Sequence, residues 1–200
     1  MTIRALIGGV ATLVLAACSG SQPVVQIPEY EAQAPTYEAD VHPLSQTKSD
    51  ITVAIDEIKN PERVERLFGT DLTREGILPV NVVVSNFSKH RVSVKPADVL
   101  LSRGKEVIDP LPMEYVSAAA RRPGSVESAI FKQTVLAPGE TYRGVMFFAV
   151  PPPKRGIASF FATLAGFWED DAQIRVGLTK LETGERVLFG PFSLELFDSV

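Results

Sequence analysis

One cysteine, two histidines and no long basic run leave this 200-residue chain without most of the chemistry a sequence can advertise. A lone cysteine cannot close an intramolecular disulfide, nor supply the thiolate cluster of a zinc site. With histidine only at 42 and 90, there is no H-E-x-x-H and no closely spaced ligand pair. No G-x-S-x-G elbow occurs for a nucleophilic serine. Gly69-Thr-Asp-Leu-Thr-Arg-Glu-Gly76 has glycines at both ends but lacks the G-K-[ST] that would cradle a phosphate. Twenty Lys and Arg against 24 Asp and Glu give a net charge of -4. That balance argues against nucleic acid as a partner, because phosphate backbones need clustered cations. The basic pairs Arg121-Arg122 and Lys154-Arg155 lie beside Pro or Gly and read as solvated loop charges. Glu169-Asp170-Asp171 could supply oxygen ligands, but it lacks the spaced ligands and glycine of a calcium loop and reads as a polar turn. No cofactor or metal is therefore expected, and an enzyme is the least favoured of the readings.

What the chain does have begins at its N-terminus. Arg4 precedes an apolar stretch, Ala5 to Ala16, broken only by Gly8, Gly9 and Thr12. A spanning helix needs about 20 apolar residues, so this run is too short; it fits the hydrophobic region of a secretory signal peptide over residues 1–17. It ends in Leu15-Ala16-Ala17-Cys18. That tetrapeptide resembles the bacterial lipobox. The resemblance implies diacylglycerol transfer to the Cys18 sulfur, cleavage before Cys18, and membrane anchoring through lipid. Thiolate nucleophilicity explains why the acceptor is cysteine. Two or more acyl chains hold stably, each buried methylene contributing about 0.8 kcal/mol. Ser19 is not the aspartate that signals inner-membrane retention. In a Gram-negative host the resemblance thus implies an outer-membrane protein facing the periplasm.

After the cysteine the composition changes twice. Residues 18–50 carry Pro23, Pro28, Pro35 and Pro43 among scattered polar residues without sustained periodicity, which reads as an extended tether. From Ile51 the pattern becomes period 2, the mark of half-buried strands. Ile51, Val53 and Ile55 share a face, as do Val80, Val82 and Val84. So do Tyr142, Met146, Phe148 and Val150, and Ile174, Val176 and Leu178. Glu182-Thr-Gly-Glu185 looks like a hairpin turn, and Gly190-Pro191 predicts a bulge or an edge. Asn60-Pro61-Glu62 opens a short helix that Gly69 stops. Pro112 to Arg122 is a second helical candidate, and Ile157 to Trp168 is ambiguous.

These elements predict one mainly β domain over 51–200, an antiparallel β-sandwich with one or two short helices. Leu78-Pro-Val-Asn-Val-Val-Val-Ser-Asn86, followed by Leu136-Ala-Pro-Gly-Glu140 leading into Met146-Phe-Phe148, resembles the immunoglobulin-like domains of secreted bacterial proteins. The resemblance implies a fold and no reaction. Phe160, Phe161, Phe167 and Trp168 form the most unusual apolar segment, to be weighed between core and an interaction patch. The expectation is a lipid-anchored envelope module, noncatalytic, that binds another envelope protein. The alternative is a periplasmic lipoprotein for a small ligand or metal.

Overall fold

The computed structural model describes residues 39–150 and 172–194. Their strands are β1 (Leu44–Lys48), β2 (Ile51–Glu57), β3 (Ile77–Asn86), β4 (Val92–Arg103), β5 (Glu106–Ile108), β6 (Thr134–Leu136), β7 (Thr141–Ala149), β8 (Ala172–Lys180) and β9 (Arg186–Leu194). The helices are α1 (Pro61–Phe68), α2 (Met113–Ala119) and α3 (Pro123–Ala129). One sheet runs β1-β2-β3-β7, the other β5-β4-β8-β9 with β6 also paired to β4, and every strand pairing is antiparallel. Taking β2, β3 and β7 as strands A, B and E, and β4, β8 and β9 as C, F and G, the order is that of an immunoglobulin-like sandwich. The helices and β6 occupy the connection where that fold has strand D.

Period-2 patterning accounts for the space between the sheets. Val53, Ile55, Val80, Val82, Met146 and Phe148 face Val94, Leu101, Ile174, Val176, Leu178 and Phe189 in one continuous core. At Gly190-Pro191 the β8–β9 register shifts between Ile174 and Val176, the bulge expected of that dipeptide. Alternation does not describe β3, whose ten residues are all buried. Its outward positions are roofed twice. Ile77 packs with Val145 and Phe147 beneath Val64, Phe68, Leu72, Val116 and Val126, and Val83 packs with Ala54 beneath Ala39 in the 3-10 turn Ala39–Val41.

The helix starts follow local chemistry. The Asn60 side chain accepts the Arg63 backbone N–H at 2.9 Å, Pro61 stands in the first turn, and the Gly69 N–H closes the far end on the Glu65 carbonyl. The Pro112–Arg122 candidate forms only as Met113–Ala119. A further helix, Pro123–Ala129, follows it, so the described residues hold three α-helices where one or two were expected. Val126 of α3 is fully buried in the helix-side core, so packing overrides the poor propensity of Pro123-Gly124-Ser125.

The boundary expected at Ile51 falls too late. Residues 44–48 already form β1, paired from Leu44↔Ile55 to Lys48↔Ile51. Ala39 is fully buried, and its N–H donates to Ser85 Oγ at 3.1 Å. Alternation does not mark this strand because Leu44-Ser-Gln-Thr-Lys48 holds one apolar residue; its order comes from its partner strand and from β9. Gln46 Oε1 accepts the Gly190 N–H at 2.9 Å, and Lys48 Nζ donates to the Leu188 carbonyl at 2.7 Å.

Candidate interaction surfaces

Two places in the described residues combine exposed apolar side chains with a fixed backbone: the outer face of the β5-β4-β8-β9 sheet, and the end of the sandwich where four turns meet. On the sheet the assignment follows from register. Val99 and Leu101 enter the core, so Leu100 faces out; likewise Leu188 lies between inward Val187 and Phe189. Val107 flanks inward Ile108 opposite Ser102, and Val135 stands opposite Ser93 beside inward Leu136. These four are among the seven large hydrophobics that stay exposed, with Val107 at 59% and Leu188 at 52%. The central strand contributes Arg175, opposite Leu100, and Gly177, opposite Leu188. Arg186 reaches across Gly177 to Asp98 at 2.8 Å. The result is a pleated face on which four exposed apolar side chains stand among Ser93, Ser102, Gln173, Arg175 and Thr179, and no described element covers it.

The sandwich end is knitted by backbone hydrogen bonds between its turns. Phe87 N–H donates to Asp50 O at 2.8 Å, Gly139 N–H to Asn86 O at 2.6 Å, and Leu181 N–H to Arg91 O at 2.9 Å. The Asn86 side chain anchors the β3–β4 turn, donating to the His90 and Leu136 carbonyls while accepting from the Ser88 N–H and hydroxyl. Phe87 and Leu181 project from this frame, both exposed.

The one titratable cluster at this end is built as a clasp. Arg91 takes both oxygens of Glu182, through its backbone N–H at 3.0 Å and its Nε at 2.9 Å. His90 Nδ1 lies 3.7 Å from the same carboxylate. The Arg91 side-chain hydrogen bond holds the Glu182 carboxyl below the ordinary range. That polarity suits an ion pair joining two turns; a general base would need a raised carboxyl. Half-buried Tyr142 is similarly committed. Its hydroxyl accepts the Lys132 N–H at 2.7 Å, its ring meets Phe131 edge to face, and burial raises its pKa. His42 lies at the entry to β1, where its Nε2 is buried without a hydrogen-bond partner. Among the described residues no group of three or more His, Cys, Asp or Glu is placed to hold a metal ion, and no helix is long and apolar enough to cross a membrane.

The sequence-based candidates fall elsewhere. Cys18, Phe160, Phe161, Phe167, Trp168 and the acidic run 169–171 lie outside the described residues. Leu100 and Leu188, in contrast, carried a readable signal. Val99-Leu-Leu101 and Val187-Leu-Phe189 are unbroken apolar runs, and a strand in a two-layer sandwich must turn the middle residue of each away from the core.

No family model matches the chain, and no curated protein matches it. Solved structures resemble it at low identity. A candidate lipoprotein of Bacillus subtilis, ycdA, is 17% identical with a TM-score of 0.41, over 79% of this chain and 38% of that one. The yjhA protein of Bacillus subtilis is 9% identical with a TM-score of 0.41, over 74% of this chain and 95% of that one. A functionally unknown protein of Listeria monocytogenes is 16% identical with a TM-score of 0.39, over 80% of this chain and 86% of that one. The chain thus spans well under half the length of the ycdA protein.

Proposed function

We propose that this chain is a lipid-tethered, noncatalytic envelope module that binds another envelope protein through the outer face of its β5-β4-β8-β9 sheet. The observation carrying the reading is the placement of Leu100, Val107, Val135 and Leu188 on one face that no described element covers, while the other sheet roofs its outward residues with helices. Exposed apolar side chains on a rigid scaffold are anchors a protein interface can use, and Arg175 and Arg186 between them would give it polar contacts. Leu15-Ala16-Ala17-Cys18 supports the anchor. In a Gram-negative host Ser19 favours the outer membrane, with the domain in the periplasm. Phe160, Phe161, Phe167 and Trp168 are kept as contributors to the same contact.

The test is a photo-crosslinking residue placed at Leu188 in the full chain in intact cells, with Glu62 on exposed α1 as the control position. A discrete adduct from 188 and none from 62 supports the reading; equal patterns from both positions sink it. Separately, Cys18→Ala should abolish lipid attachment and leave the precursor uncleaved before residue 18. Normal processing and membrane retention of that variant would remove the anchor.

A further inference from the structure

The turn end of the sandwich carries a different occupant from its face, and the reason lies in where the N-terminal chain joins. Ala39 donates its N–H to Ser85 Oγ and packs on Ala54 and Val83, whereas Leu44, at the start of β1, stands opposite Ile55 farther down the sheet. The chain therefore enters at the turn end, descends, and returns upward as β1. Ser85 is two residues from Phe87. We propose that this end rests against the lipid bilayer, with Phe87 and Leu181 seated among the headgroups; the proposal depends on lipid attachment at Cys18.

Three observations favour a lipid surface there. Phe87 and Leu181 are 48% and 42% exposed at turn tips whose backbones are already pinned, so seating them orders nothing new. Much of the charge at this end is already engaged within the domain, two ion pairs among it. Arg91 is paired with Glu182, Lys180 with Glu185, and Lys48 Nζ with the Leu188 carbonyl. The Glu140 carboxylate accepts the Ala137 N–H. Exposed Lys89 can reach a lipid phosphate while its stem lies along the interface. Finally, residues 19–38 at about 3 Å each could extend roughly 60 Å. The tether thus permits the contact, and it makes the contact intramolecular, so two side chains that would scarcely partition a free domain suffice. The sheet face stands at the side of this end, free for a protein while the end is seated.

The experiment uses the full mature lipoprotein in phosphatidylcholine–phosphatidylglycerol vesicles, carrying an environment-sensitive fluorophore on Lys89→Cys or, separately, on Glu62→Cys. Flotation first reports anchoring. The expected result is a blue-shifted emission, quenched by lipid-borne nitroxide, at 89 and not at 62. Phe87→Ser with Leu181→Ser should reduce the quenching at 89 at least several-fold while flotation persists. A protein that floats while the label at 89 stays as water-exposed as that at 62 overturns the proposal and spares the anchor. One that fails to float overturns the anchor itself. A shift at 89 that grows with protein concentration without vesicles identifies a second copy as the occupant and also overturns it.

Discussion

On the β1-β2-β3-β7 sheet the outward residues Ile77, Val145 and Phe147 are buried as thoroughly as the inward ones, whereas on the β5-β4-β8-β9 sheet the outward Leu100, Val107, Val135 and Leu188 meet no described element. Both sheets carry apolar residues on their outer surfaces; they differ in what covers them. The first is closed by helices drawn from the same chain. Phe68 of α1 meets Phe147 edge to face, 5.4 Å between ring centroids. That geometry adds about 0.5–1.5 kcal/mol beyond area burial. On the second face no described element supplies such a cover. Similar apolar side chains thus serve stability on one face, and on the other they are the ones the proposed contact would use.

The contrast can be broken deliberately. Phe147→Ala should cost about 3–5 kcal/mol in denaturant unfolding, since it empties the centre of the helix-side core. Leu188→Ser should change stability by no more than about 0.5 kcal/mol, yet remove the crosslinked adduct. A large stability loss at Leu188 would mean that the second face is covered after all. Gly144→Ala comes next. A Cβ there would lie 2.5 Å from Phe131 Cα, a backbone neighbour that cannot swing aside, so a loss of about 1–3 kcal/mol is expected. Asn60→Ala, which removes the cap of α1, should cost about 1 kcal/mol.

The smallest effect sharpens the comparison at the turn end, where charges replace apolar contacts. The Glu182 pKa is depressed in the folded state, so its contribution to stability is present above the unfolded value near 4.5 and is lost as pH falls through the lower folded value. Arg91→Ala should move the Glu182 carboxyl resonance, followed by NMR titration, back up toward that ordinary value. An unmoved titration would show that Arg91 is not its source.

Inward-facing strands were legible in the chain because a two-layer core demands period 2, and Ile51 to Ile55 or Ile174 to Leu178 obey it. Where a third layer intervenes the rule loses its meaning. Val83 and Phe147 look like outward residues in the pattern and are wholly buried. β1 and α3 were illegible for a related reason, since each owes its order to contacts with elements distant in sequence. The candidate interaction face was half legible. Its middle residues break alternation, but similar apolar runs in β3 mark burial, and the sequence does not say which sheet the helices choose.

The side-chain bonds from Gln46 and Lys48 to β9, with the Phe131 and Leu111 N–H groups donating to the Val145 and Phe147 carbonyls along β7, have a consequence for assembly. They occupy main-chain positions on β9 and β7 onto which a foreign strand would dock, and β5 and β6, at three residues each, offer little template. Strand-by-strand extension is thereby hindered at the β7 and β9 edges, which leaves five-residue β1 as the longer described edge for a foreign strand.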